Sequence, residues 1–81
     1  MRIDKFLNVV NLVKRRSIAQ DMCENGAIFI GDKSVKSSKE VKVGDIIKVV
    51  RLENIRCFEV VAIPEQKTIP KSKSMDYIKE L

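Results

Sequence analysis

The sequence predicts a small α+β domain, with two N-terminal helices packed on a small, mainly antiparallel sheet and a short C-terminal tail. Three observations predict it. Apolar residues recur at helical spacing as far as Glu24. After Gly26 the spacing changes to short β-branched runs broken by glycine-containing turns. Beyond Ile63 the chain turns to proline, lysine and serine.

The first helix is expected over residues 3–13, ending around Asn11 to Lys14, and Ile3, Phe6, Leu7, Val10 and Val13 mark one apolar face. Asp4 near its start suits the positive end of the helix dipole. Lys14-Arg15-Arg16 makes a short basic connection. Ser17 is expected as the N-cap of a second helix, and Gln20 completes a Ser-x-x-Gln capping box. That helix runs from about Ile18 to Glu24, with Ile18/Met22 and Ala19/Cys23 as apolar pairs. Asn25-Gly26 stops it, since glycine accepts the left-handed conformation there.

The strands follow in order. Residues 27–30 form the first, Gly31-Asp32 the hairpin turn, and residues 33–35 the return strand. Residues 36–40 are a polar loop, Val41-Lys42-Val43 alternates, and Gly44-Asp45 turns the chain. Residues 46–51 form a β-branched strand, Glu53-Asn54 a turn, and residues 55–63 the last long strand, which Pro64 ends. Pro64, Pro70 and Lys71-Ser72-Lys73-Ser74 describe a basic linker. The final residues are expected to form one or two helical turns, with Ser74 as cap and Met75, Ile78 and Leu81 at helical spacing. The chain therefore divides into a folded unit over 1–63 and a linker and tail over 64–81.

Composition narrows the function. With 81 residues the chain makes one domain, near the lower end of what a single core can hold together. No apolar run approaches ~20 residues, so no membrane contact is expected. Charges interleave with the apolar residues from Met1 to Lys5, unlike a signal peptide, so a cytoplasmic location is expected. There is no histidine, and Cys23 and Cys57 are isolated. A structural zinc site needs about four nitrogen or sulfur ligands, so neither metal nor cofactor is expected. Catalysis is not expected either. Ser17 and Cys23 are nucleophiles only in the abstract, and turn chemistry explains Asp32 and Asp45.

Charge points to a polyanion. Sixteen Lys+Arg stand against eleven Asp+Glu, a net charge of +5, with a pI near 9.4. The first sixteen residues hold Arg2, Lys5, Lys14, Arg15 and Arg16 against one acid, Asp4. Arg15 and Arg16 precede a helix N-terminus, whose unpaired N–H groups and partial positive charge suit phosphate. The planar guanidinium adds two-pronged phosphate recognition. Arg2 can approach the same surface if the helices pack antiparallel, and Lys5, Asn8 and Asn11 continue along the first helix. Phe6, Phe29 and Phe58 occupy periodic core positions and form no stacking platform for single strands. Structured RNA gripped by its backbone fits best.

The residues also resemble a known family. Met1-Arg2-Ile3-Asp4-Lys5-Phe6-Leu7, Leu12-Val13-Lys14-Arg15-Arg16-Ser17-Ile18-Ala19, Gly26-Ala27-Ile28-Phe29-Ile30, Val35-Lys36-Ser37-Ser38 and Val41-Lys42-Val43-Gly44-Asp45-Ile46-Ile47 are similar to the RNA-binding domain named after ribosomal protein S-four, the alpha-L motif. The likeness covers roughly residues 1–51. It implies an alpha-L RNA-binding fold, with Arg2, Lys5, Lys14, Arg15, Arg16, Ser17, Lys36 and Ser38 on RNA and Asp4 orienting the arginines or the helix start. Gly31-Asp32 replaces the Asn-Gly common at the family's hairpin, which predicts a type II′ turn. Asn11 replaces a basic or small polar residue.

The short members of this family imply more: structured RNA (23S rRNA and tRNA) on an obstructed large ribosomal subunit, in ribosome-associated quality control. A monomer is expected there, beside a nascent-chain tailing factor. Two other readings compete. One is a protein-interaction module docking through Met75, Ile78 and Leu81. The other is a DNA-binding helix-turn-helix, which Asp21 and Glu24 on the second helix oppose.

Overall fold

A computed structural model describes all 81 residues. Helix α1 spans Ile3–Val9 and α2 spans Arg16–Glu24. Strands β1 (Ile28–Ile30), β2 (Lys33–Ser34), β3 (Ile46–Val50), β4 (Ile55–Val60) and β5 (Ile78–Glu80) form one sheet in the order β2-β1-β3-β4-β5. Every pairing is antiparallel. One face of the sheet supplies Ile28, Ile47, Val49, Phe58, Val60 and Ile78, and the helices supply Ile3, Phe6, Leu7, Ala19 and Cys23. These side chains form a single core, as the α+β pattern predicts.

Both helices stop by the same device. In α1 the Asn11 N–H donates to Asn8 O (3.1 Å) and the Leu12 N–H to Leu7 O (3.0 Å). In α2 the Gly26 N–H donates to Cys23 O (3.1 Å) and the Ala27 N–H to Met22 O (2.8 Å). Each is a Schellman ending whose pivot takes positive φ: 66° at Asn11 and 73° at Gly26. The first helix is therefore shorter than the apolar spacing through Val13 predicts. Val13 is still buried, but it reaches the core from the connection.

The hairpin turn agrees with the Gly-Asp sequence. Gly31 has φ 62° while Asp32 stays out of the left-handed region, the pattern of a type II′ turn.

Two expectations are corrected. Ser17 is not the N-cap of α2. That position belongs to Arg15, which makes no side-chain cap bond. The Gln20 side chain bonds Asp4 instead, so no capping box forms. A carboxylate acceptor makes a stronger bond than a neutral backbone partner, which explains the diversion. The tail is not an α-helix either. Lys71–Asp76 is a 3-10 helix, and Ile78–Glu80 is the fifth strand, pairing Val60 with Ile78. The exposed edge of β4 offers unpaired backbone groups, and the tail satisfies them. Ile78 is buried, whereas Met75 and Leu81 are exposed, so the three do not share one apolar stripe. Ile69 also enters the core.

Candidate nucleic-acid interface

The site is built around a buried carboxylate. Asp4 sits in the first turn of α1 with no exposed surface. It accepts hydrogen bonds from the Lys5 backbone N–H (2.8 Å), Gln20 Nε2 (2.9 Å), Arg16 Nε (3.2 Å) and Arg2 Nη2 (3.3 Å). Arg16 Nη2 lies 3.5 Å from the other carboxylate oxygen. Burial pushes the Asp4 carboxyl up, but the bonds from Gln20, Arg16 and the Lys5 N–H outweigh it, and the net shift is downward. Asp4 is therefore a fixed anion that two helices share.

Its arginine partners are not consumed by it. The side chains of Arg2 and Arg16 remain 49% and 43% exposed. Each guanidinium uses part of its donor set on Asp4 and keeps the rest for solvent or an anion. The carboxylate thus fixes their direction without removing them from the surface.

The loop after β2 completes this surface. Ser37 O accepts from the Asp4 N–H (3.3 Å) and Lys39 O from the Ile3 N–H (2.7 Å), which satisfies the start of α1 without a side-chain cap. Those bonds hold Lys36 and Ser38, both exposed, next to the start of α1. Arg2 also bridges to Glu40 through the backbone. The start of α2 is left uncapped, so its first N–H groups are open to an anion beside Arg15 and Arg16.

The fold brings together Arg2, Asp4, Arg16 and the loop bearing Lys36 and Ser38. Lys5, Arg15 and Ser17 lie at the adjoining helix starts, with no side-chain partner of their own. Lys14 departs from this group and lines a cleft with Asn11, Leu12, Val13, Ile18, Arg51 and Lys71. Asn8, which the sequence places in a row with Lys5 along the first helix, is used internally: its Nδ2 donates to Val13 O (3.2 Å) and Lys14 O (3.0 Å) and pins the basic connection. The sequence reading missed Gln20, whose capping-box spacing pointed elsewhere, and Arg51, which directly follows β3 far along the chain.

Cys23 is not a poised nucleophile. Burial and the charges of Asp4 and Glu24 push its thiol up to about 11. No group of His, Cys, Asp or Glu is arranged to hold a metal ion. No helix is long and apolar enough to cross a membrane.

The family model for the S4 domain matches residues 1–47, more than half of the chain. The chain belongs to the S4 domain family. Relatives extend the match beyond the S4 domain itself. The RQC P-site tRNA stabilizing factor of Helicobacter pylori is 46% identical over 78 residues, covering 96% of this chain and 93% of that protein. The protein of the same name from Halalkalibacterium halodurans is 36% identical, covering 96% of each. Among solved structures, heat shock protein 15 of Vibrio cholerae, described as trimeric, superposes with a TM-score of 0.91 at 25% identity. That alignment covers all of this S4 protein and 81% of the other chain. The β5 pairing and the 3-10 helix lie outside the part that the S4 family model matches.

Proposed function

We propose that this S4 protein is a non-enzymatic RNA-binding factor of ribosome-associated quality control. It binds tRNA and 23S rRNA on obstructed large ribosomal subunits and supports C-terminal tailing of stalled nascent chains. The observation that carries this reading is the 46% identity, over nearly the full length of both chains, to a protein named RQC P-site tRNA stabilizing factor. The geometry supports it. Arg2 and Arg16 are aimed by Asp4 beside an uncapped helix start, which suits RNA phosphates.

Arg2, Lys5, Lys14, Arg15, Arg16 and Ser17, with Lys36 and Ser38, form the RNA-binding set, and Asp4 supports it. The protein acts as a cytoplasmic monomer beside a tailing factor. Sedimentation of the tagged protein with ribosomal subunits, followed by RNA crosslink mapping, tests this. Recovery with large subunits and crosslinks to tRNA and 23S rRNA are expected. Recovery with no particle, or with DNA alone, overturns it.

With about four or five phosphates neutralised, log affinity falls against log salt with a slope of roughly −3 to −4.5. Arg16→Ala weakens binding and reduces that slope by about one. An unchanged affinity and slope remove Arg16 from the site.

A further inference from the structure

Four cations from three separate stretches of the chain gather away from Asp4. Lys14, Arg51 and Lys71 line one cleft of ≈ 490 Å³, with Leu12, Val13 and Ile18 as its apolar part. A neighbouring cleft is lined by Lys14 again, with Asn8, Asn11, Lys67 and Thr68. Lys14 and Asn11 belong to both, so the two clefts adjoin. No acid lines either one. The three ion pairs of the chain lie elsewhere, joining Asp4 to Arg2 and Arg16 and Glu80 to Arg56, so none neutralises these four cations.

This convergence is made by the fold. Asn11 Nδ2 donates to Ile69 O (3.1 Å) and Ser74 Oγ (3.0 Å), which fastens the segment carrying Lys67 and Lys71 against the end of α1. Arg51 is fixed from the other side, its Nη2 donating to Leu12 O (3.3 Å). Only that one donor has a partner, so the remaining guanidinium N–H groups are open. Gathering like charges costs self-repulsion, which a polyanion relieves.

We propose that this cleft is a second RNA backbone site, in which Lys14, Arg51 and Lys71 hold phosphates and Leu12 and Ile18 contact a sugar. It rests on the RNA-binding reading above and widens its footprint to the C-terminal segment. Cationic rim and apolar floor match the two parts of a sugar–phosphate unit, and a cleft of this size admits one. Lys67 extends the track along the adjoining cleft.

The test compares the wild type, Arg16→Ala, the double variant Arg51→Gln/Lys71→Gln and the double variant Lys67→Gln/Lys71→Gln, with deacylated tRNA, with protein-free 23S rRNA and with purified large subunits across a salt series. Lys67 and Lys71 make no internal side-chain hydrogen bond, so that pair guards against a folding artefact. Each double variant is expected to weaken RNA binding and to lower the salt slope by about 1.5 to 2. The affinity gap to wild type then narrows roughly tenfold between about 50 mM and about 200 mM salt. Both double variants keeping wild-type affinity and slope, while Arg16→Ala lowers both, overturns the second site and leaves RNA binding intact. Loss of subunit binding with unchanged affinity and slope on both tRNA and protein-free 23S rRNA also overturns it, because the cleft then meets protein. A wild type that binds neither RNA nor subunits overturns both readings together.

Discussion

Gln20 on α2 donates a 2.9 Å hydrogen bond to Asp4 on α1, across sixteen residues of sequence. Together with Arg16 from the same helix, it turns a buried carboxylate into the joint between the two helices. A buried anion without partners is costly, whereas this one has donors at both oxygens.

Replacing Asp4 with alanine leaves Gln20 and Arg16 without their acceptor and opens space at the helix joint. Breaking a buried pair costs about 3–5 kcal/mol, but the arginines here are half exposed and regain water, so about 2–3 kcal/mol is expected. Urea unfolding measures it. RNA affinity of the folded fraction is also expected to fall, because Arg2 and Arg16 lose their direction. Equal RNA affinity in the folded variant would assign Asp4 to stability alone.

The same carboxylate sets an acid limb. Its folded pKa lies below the ordinary value of 3.8. The unfolded chain therefore binds the proton first as pH falls. The contribution of ionised Asp4 is fully present well above pH 3.8 and is lost as pH falls through the folded-state value. Chemical denaturation of wild type and Asp4→Asn between about pH 7 and pH 2 is expected to show a stability gap that closes only in that acid range. A gap that stays constant to pH 2 would contradict the ionised state.

Asn11 does two things at once. It holds φ at 66° and donates to Ile69 O and Ser74 Oγ. Asn11→Gly keeps the backbone conformation and loses the side-chain bonds, for about 1–2 kcal/mol. Asn11→Ala loses both and is expected to cost roughly 1 kcal/mol more. Amide hydrogen exchange over residues 69–80 is expected to quicken in both variants, and a segment that exchanges at the wild-type rate would show that Asn11 does not hold it.

The tail can be probed at neighbouring apolar residues. Ile78 is 2% exposed and Met75 is 62% exposed. Ile78→Ala is expected to destabilise by about 2–4 kcal/mol, the range for a truncated core side chain, and Met75→Ala by less than about 0.5 kcal/mol. Equal effects in thermal and urea melts would return the tail to the helical arrangement that its spacing suggests.

By itself, the sequence determined the local elements and their order from the first helix to the fourth strand. Helical spacing up to Glu24, Asn25-Gly26 as a stop, Gly31-Asp32 as a II′ turn and the β-branched runs read at 46–51 and 55–63 are decided by a residue's near neighbours, so they were legible, although the strands end at Val50 and Val60. So was the basic surface at Arg2 and Arg16, because charge needs no partner to be read. Tertiary structure alone decided what distant groups do to one another. Gln20 has the spacing of a capping box, yet it turns to a carboxylate that folding places within reach. Met75, Ile78 and Leu81 have helical spacing, yet the open edge of β4 captures Ile78 as a strand. Asn11 looked like a surface residue of a longer helix, yet it ends that helix and ties down residues 69–74. In each case a local preference is worth only a few tenths to about one kcal/mol, and a satisfied buried polar group or a buried side chain outweighs it.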